Sequence, residues 1–259
     1  MLESVDPKRL KFFLSSFTLC MLLFFVKFVS AKWMPLYLLF LSVAVFASLL
    51  FVLEIRSFGR VWFYVSILPI HVVVGAALTF SGFPNLSILF RILSLIIVLV
   101  VYYITLLILN IFSVVFEKGK VIPLYRVAIT WEQILIIVVS IPLFAGIFKL
   151  PIHPFLQVFA ITLSSFSLML LFLWSLDFEV GEVDMNLSIL TSFWVLTLSS
   201  AILFLPFEAL FRGLFLSSIL LFGLGFNHNF IKHTLSEKII FEHVLITIAF
   251  LFIGLLFLP

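Results

Sequence analysis

The two residues in this chain best placed to do chemistry are Glu208 and Arg212, an acid and a cation four positions apart in Leu203-Phe-Leu-Pro-Phe-Glu-Ala-Leu-Phe-Arg-Gly213. On a helix that spacing puts both on one face, within reach of an ion pair. Pro206 stands two residues before Glu208, where it suits the first turn of such a helix, and a carboxylate there is favoured by the positive end of the helix dipole. The surrounding sequence is apolar, and an ionisable group in hydrocarbon costs at least about 2.5 kcal/mol and usually finds a partner. Two roles follow. In the structural one the pair neutralises itself near the interface and fixes the packing of its helix. In the functional one Glu208 is a proton carrier, ion ligand or general base held by Arg212. A third inward-facing partner would favour the second role, and Arg91 is the candidate for it. Lys27, near the end of the first apolar run, reads as snorkelling to the interface.

The histidines offer a weaker prospect of a metal. His228 and His233 lie in Asn227-His-Asn-Phe-Ile-Lys-His233, with Glu237, Glu242 and His243 following. Their spacings of five and ten residues miss the i, i+4 pair that puts two imidazoles on one helix face, and there is no cysteine nearby to complete a zinc set. A polar loop with interfacial histidines is the expectation, with no metal and no cofactor. His71 reads as a buried polar contact and His153 as a turn residue. The acidic stretch Asp177-Phe-Glu-Val-Gly-Glu-Val-Asp184 matches no calcium loop and reads as a solvated turn, with Asn186 capping the next helix. No Gly-rich phosphate loop, Gly-x-Ser-x-Gly elbow or Asp-rich diphosphate cluster is present, so no catalytic residue is assigned.

The elements that must position these residues are membrane spans. Of 259 residues 64% are hydrophobic, 35 are Phe and only 10% are charged, against roughly 25% charged in an average soluble domain. The mean hydropathy is +1.38. Apolar runs of spanning length follow one another along the chain, continuous rather than alternating, which predicts helices and not barrel strands. Spans are expected near Leu10–Ser30, Pro35–Leu53, Val61–Phe80, Ile88–Phe116, Trp131–Phe148 and Pro154–Leu176. Leu187–Phe226 is twice too long for one crossing, so Pro206 divides it into Leu187–Leu205 and Phe207–Phe226. Phe241–Leu258 is the last. The expected architecture is an all-α polytopic bundle of eight to nine spans, one integral membrane domain over residues 1–259. Trp33, Trp62, Trp131 and Trp174 fall at span ends, where rings sit among headgroups, while Trp194 is internal. Cys20 is the single cysteine, so no intrachain disulfide forms.

Lys8, Arg9 and Lys11 precede a run too long for a signal core, so the first helix is expected to be retained. With nine spans and the N-terminus inside, ten of the 15 Lys and Arg residues fall on the inner side and five elsewhere. That bias favours an N-terminus in the cytoplasm and the protein in the plasma membrane; if Leu187–Phe226 crosses only once, the Lys232 and Lys238 loop moves outside and the bias falls to eight against seven. A net charge of +3 and a pI near 9.1 then describe a basic face drawn to anionic lipid, not a nucleic-acid surface. The expected partners are membrane lipids and a membrane protein.

Glu208-Ala-Leu-Phe-Arg212-Gly213 resembles the second half of the Glu-Glu-x-x-x-Arg motif of the CAAX protease and bacteriocin-processing (CPBP, Abi) family of intramembrane metalloproteases. Phe207 stands at the position of that family's first glutamate. Its Phe-x-x-x-His helix has its counterpart in Phe222-Gly-Leu-Gly-Phe226, with Phe in place of His. The resemblance covers about six residues and carries over Glu208 and Arg212 alone. The overall layout resembles small multi-span proteins of candidate-phylum bacteria, which implies no activity.

Three functions are therefore distinguishable. A structural or interaction component of the bilayer, the leading expectation, predicts Glu208 paired only to Arg212 and a dry interior packed with Phe side chains. A transporter predicts Glu208, Arg212, Arg91 and His71 converging on a hydrated cavity. A degenerate CPBP-like protease predicts Glu208 beside a histidine from the His228–His243 region.

Overall fold

A computed structural model describes residues 7–53, 59–119 and 123–256, and every regular element among them is a helix. Arg56, Lys120 and the expected end of the last span at Leu258 lie outside the described residues, as do the side chains of Lys118 and His243. Nine α-helices are described: α1 (Pro7–Phe24), α2 (Met34–Val52), α3 (Arg60–Gly82), α4 (Ile88–Lys118), α5 (Pro123–Phe148), α6 (Pro154–Asp177), α7 (Glu182–Ile202), α8 (Ala209–Ile231) and α9 (Glu237–Leu256). Eight of them, α1 to α8, are long and apolar enough to cross a membrane. The chain is thus an all-α membrane-embedded helical protein. Helices satisfy every backbone donor and acceptor within the segment, which lipid demands.

The chain forms two compact units, Met1–Glu132 and Gln133–Pro259, and the boundary falls within α5. In the first unit α4 packs on α1 and α3, and α2 packs on α1 and α3. Its core includes the fully buried Leu41, Val45, Leu49, Leu68, Leu106, Leu109 and Phe112. The Ser48 and Tyr102 hydroxyls share a hydrogen bond of 2.8 Å inside it. In the second unit α6 packs on α7 and α8, α7 on α8, and α8 on α9. Trp194 of α7 lies 5.1 Å from the Phe222 ring and 5.8 Å from the Phe226 ring of α8. Phe222, Phe226 and Phe230 stack in a ladder at 6.1 Å per step, as i, i+4 neighbours on one helix face do.

Several boundaries differ from the sequence reading for identifiable reasons. The break near Pro206 is where it was expected, with α7 closing at Ile202 and α8 opening at Ala209. α7 starts earlier than Leu187 because Asp184 accepts the Gly181 N–H at 2.9 Å and two acidic residues, Glu182 and Asp184, occupy its first turn. Asp184, rather than Asn186, therefore caps that helix. His153 does cap a turn, its Nδ1 accepting the Phe155 N–H at 3.2 Å as α6 begins. α5 starts at Pro123, so Trp131 lies well inside it. Arg126 lowers the local hydropathy without interrupting the helix, and proline is preorganised for a first turn. Trp33 and Trp131 are exposed, but Trp62 and Trp174 are buried in the protein rather than lying among headgroups. α1 does not continue to Ser30. It gives way to 3₁₀ turns at Phe25–Phe28 and Ala31–Trp33.

Candidate functional site

α8 carries a stripe of small and polar residues, Gly213, Ser217, Gly223 and Asn227, all buried. At one end of the stripe a Cβ on Gly213 would lie 2.9 Å from both the Ala145 nitrogen and the Ile141 oxygen of α5, so the two backbones meet at a distance only glycine permits. One turn on, the Ser140 and Ser217 hydroxyls bond at 2.8 Å, both buried. Further along, a Cβ on Gly223 would run into Cγ2 of Thr191 on α7.

The stripe ends in a polar cluster. Asn227 is fully buried, and its Nδ2 donates to Thr191 Oγ1 and to Met169 Sδ, each at 3.1 Å. Its neighbour His228 faces α5 and α6. Gln133 Nε2 donates to His228 Nδ1 at 2.9 Å, and the Phe172 ring meets the imidazole edge-on at 5.9 Å. Because Nδ1 accepts, the ring carries its proton on Nε2. Three buried atoms here have no hydrogen-bond partner among the described residues: Asn227 Oδ1, Ser188 Oγ and His228 Nε2. Ser188 is itself fully buried, one turn before Thr191 on α7. Measured along the helices at 1.5 Å per residue, Asn227 lies about 6 Å inside the end of α8 and Ser188 about 9 Å inside the start of α7. Asn227 Oδ1 is thus left free to accept, His228 Nε2–H to donate and Ser188 Oγ to do either.

The residues singled out by sequence divide between the two units, Arg91 and His71 in the first and Glu208, Arg212 and His228 in the second. Glu208 is the N-cap of α8, exposed, with an extended backbone (ψ 151°) and no side-chain cap bond. Arg212 instead donates from Nη2 to the Leu205 carbonyl at 3.0 Å and lies over the Phe148 ring, 5.5 Å from its centroid. Among the described residues the two side chains form no ion pair; they are joined by the Arg212 N–H donating to the Glu208 carbonyl at 3.1 Å. Glu208 and His228 stand at opposite ends of α8, about 30 Å apart along the helix axis. Arg91 belongs to the first unit, is 4% exposed near the start of α4, and its Nε has no partner among the described residues. His71, also in the first unit, bonds the Ile67 carbonyl through Nδ1 at 2.7 Å. Cys20 is buried, with Sγ 3.6 Å from the Leu95 carbonyl.

His233 follows α8 in the left-handed conformation (φ 53°), and His243 sits on α9. Among the described residues no three His, Cys, Asp or Glu side chains gather as a metal site would need. Sequence reasoning passed over Asn227, Thr191, Gln133 and Ser188. One signal for them was present: Gly213-x-x-x-Ser217, with Ser188, Thr191, Ser192 and Ser199 of α7 at helical spacing, is the small and polar pattern of membrane helix interfaces. No family model, curated protein or solved structure matches the chain.

Proposed function

We propose that the protein is a structural or interaction component of the bilayer, not a conduit through it. The observation that carries this reading is the contact at Gly213, where the backbones of α5 and α8 approach too closely to admit even a methyl group. The Ser140–Ser217 bond closes the same seam one turn further on. Interfaces of this kind hold membrane helices together by packing and interhelical hydrogen bonds, without a hydrophobic driving force. The CPBP-like alternative loses support because Glu208 and His228 lie at opposite ends of α8. In the Glu208-centred transporter alternative, Arg212 would have to face a cavity, yet its Nη2 is bonded to the Leu205 carbonyl and its guanidinium lies over the Phe148 ring, with the buried Nε left without a partner among the described residues.

Cysteine accessibility tests the reading. In a Cys20→Ala background, Ser217→Cys and Thr191→Cys are to be treated with a membrane-impermeant maleimide in proteoliposomes, from either side. Both are expected to stay unlabelled until the protein is unfolded in SDS. Labelling of Ser217→Cys in the folded protein overturns the closed seam.

A second reading, a polar solute site at the end of the second unit, is supported by the three partnerless atoms of the Asn227 cluster. It predicts that Thr191→Cys alone is labelled, and that an added solute protects it.

A further inference from the structure

The first helical hairpin bears a groove of about 710 Å³, opened by the way α1 ends. After Phe24 the chain passes through two 3₁₀ turns. These put Val26 into the core, leave Phe28 and Trp33 exposed, and deliver Pro35 into the first turn of α2. Phe28, Val29, Ser30 and Trp33 line one part of the groove. Leu36, Phe40 and Val43 of α2, at i, i+4 and i+7, continue it as an apolar track about 10 Å long. Tyr37, also in the lining, donates its hydroxyl to the Leu22 carbonyl at 2.6 Å, so its polar atom is satisfied within the protein and its ring is left to the groove.

The turns that form the mouth also carry Lys27 and Lys32, both exposed. No acidic residue occurs anywhere from Pro7 to Leu53, so these two ammonium groups have no counter-ion in their own hairpin. Trp33 and Tyr37 beside them are the side chains that sit at headgroup level in membrane proteins. The volume falls within the roughly 300–1,000 Å³ of ordinary ligand sites.

We infer that this groove holds one acyl chain of an anionic phospholipid whose phosphate is bound by Lys27 and Lys32. The charge pattern selects the headgroup: a zwitterionic lipid would bring its own cation toward two others. The apolar track accounts for the chain, and the aromatic mouth sets the depth. The inference goes beyond the closed seam of the second unit and does not depend on it.

The test is native mass spectrometry of the full-length protein released from mixed micelles. Phosphatidylglycerol and phosphatidylcholine with identical acyl chains are supplied, and soluble glycerophosphate is the competitor. Wild type is expected to retain phosphatidylglycerol in preference to phosphatidylcholine and to ignore glycerophosphate. Lys27→Gln with Lys32→Gln should weaken phosphatidylglycerol retention about twenty-five-fold, about five-fold for each lysine, without changing that of phosphatidylcholine. Val43→Trp, which fills the exposed track without touching the core, should reduce retention of both. Equal retention of the two lipids by wild type, an unchanged preference after both lysines are replaced, or displacement by glycerophosphate each overturns the assignment. A dimer that Val43→Trp dissociates would do the same, since a second copy would then be the occupant.

Discussion

Gly223→Ala places a methyl group where Cγ2 of Thr191 already sits. Thr191 is fully buried and β-branched, so its χ1 is stiff, and its hydroxyl receives the Asn227 amide. It cannot swing aside without giving up that bond. Overpacking of this kind costs about 1–3 kcal/mol, and losing a hydrogen bond between membrane helices adds about 0.6. Alanine regains up to about 1 kcal/mol of helix propensity over glycine. The net expectation is a loss of about 1–2 kcal/mol.

In a Thr191→Ala background the two worst contacts, with Cγ2 and Oγ1, are removed and the bond is already gone, so that only the Cβ at position 191, 3.2 Å away, has to give by a few tenths of an ångström. Gly223→Ala should then be neutral or slightly stabilising, giving a coupling energy of about 2 kcal/mol between two residues that belong to different helices. Reversible unfolding by SDS in mixed micelles, followed by far-ultraviolet circular dichroism, measures all four corners of the cycle. A coupling below about 0.5 kcal/mol, with Gly223→Ala equally harmful in both backgrounds, would refute the packing of α7 on α8 described above.

The same assay serves three further expectations. Glu208→Gln should leave stability unchanged and Arg212→Met should lower it by about 1 kcal/mol, through the lost Leu205 carbonyl bond and Phe148 contact, with the double variant simply additive. Rescue of Arg212→Met by Glu208→Gln would restore the ion pair. Asn227→Leu removes a buried acceptor without a partner, worth about 1–3 kcal/mol, at the cost of the bonds to Thr191 and Met169, worth about 0.6 each; it should stabilise the protein by about 1 kcal/mol, and a clear loss would show that something occupies the cluster. Arg91→Met should raise stability by about 1 kcal/mol, because a buried guanidinium lies at the positive end of the α4 dipole without an acidic partner among the described residues; a loss near 3 kcal/mol would reveal a buried pair instead.

Helical class and the break at Pro206 were legible in the sequence because both follow from local facts, namely apolar run length and a missing backbone donor. The Glu208–Arg212 pairing looked equally local and was not. The i, i+4 rule holds for two residues inside a helix, whereas Glu208 is a cap with extended backbone, so its side chain does not lie over the turn that Arg212 occupies. Arg212 bonds a carbonyl seven positions back instead. The Asn227 cluster was out of reach for a different reason. Its bonds join residues 36, 58 and 95 positions apart, and neutral Asn, Gln, Ser and Thr give no charge signal in a hydropathy window. The start of α7 depended on one carboxylate closing back on Gly181, a contact that only its geometry discloses.

The aromatic ladder on α8 has a mechanical consequence. Turning α8 by a single residue, about 100°, would withdraw Phe222 and Phe226 from Trp194 and Asn227 from Thr191 in the same movement. Sliding it by one turn would bring Asn227 opposite a different α7 residue and move the ring ladder one rung past Trp194. Two unlike sets of contacts, one of π faces and one of hydrogen bonds, therefore vote for the same setting. The α7–α8 pair behaves as a latch with one position, and any motion of the second unit has to carry these two helices together.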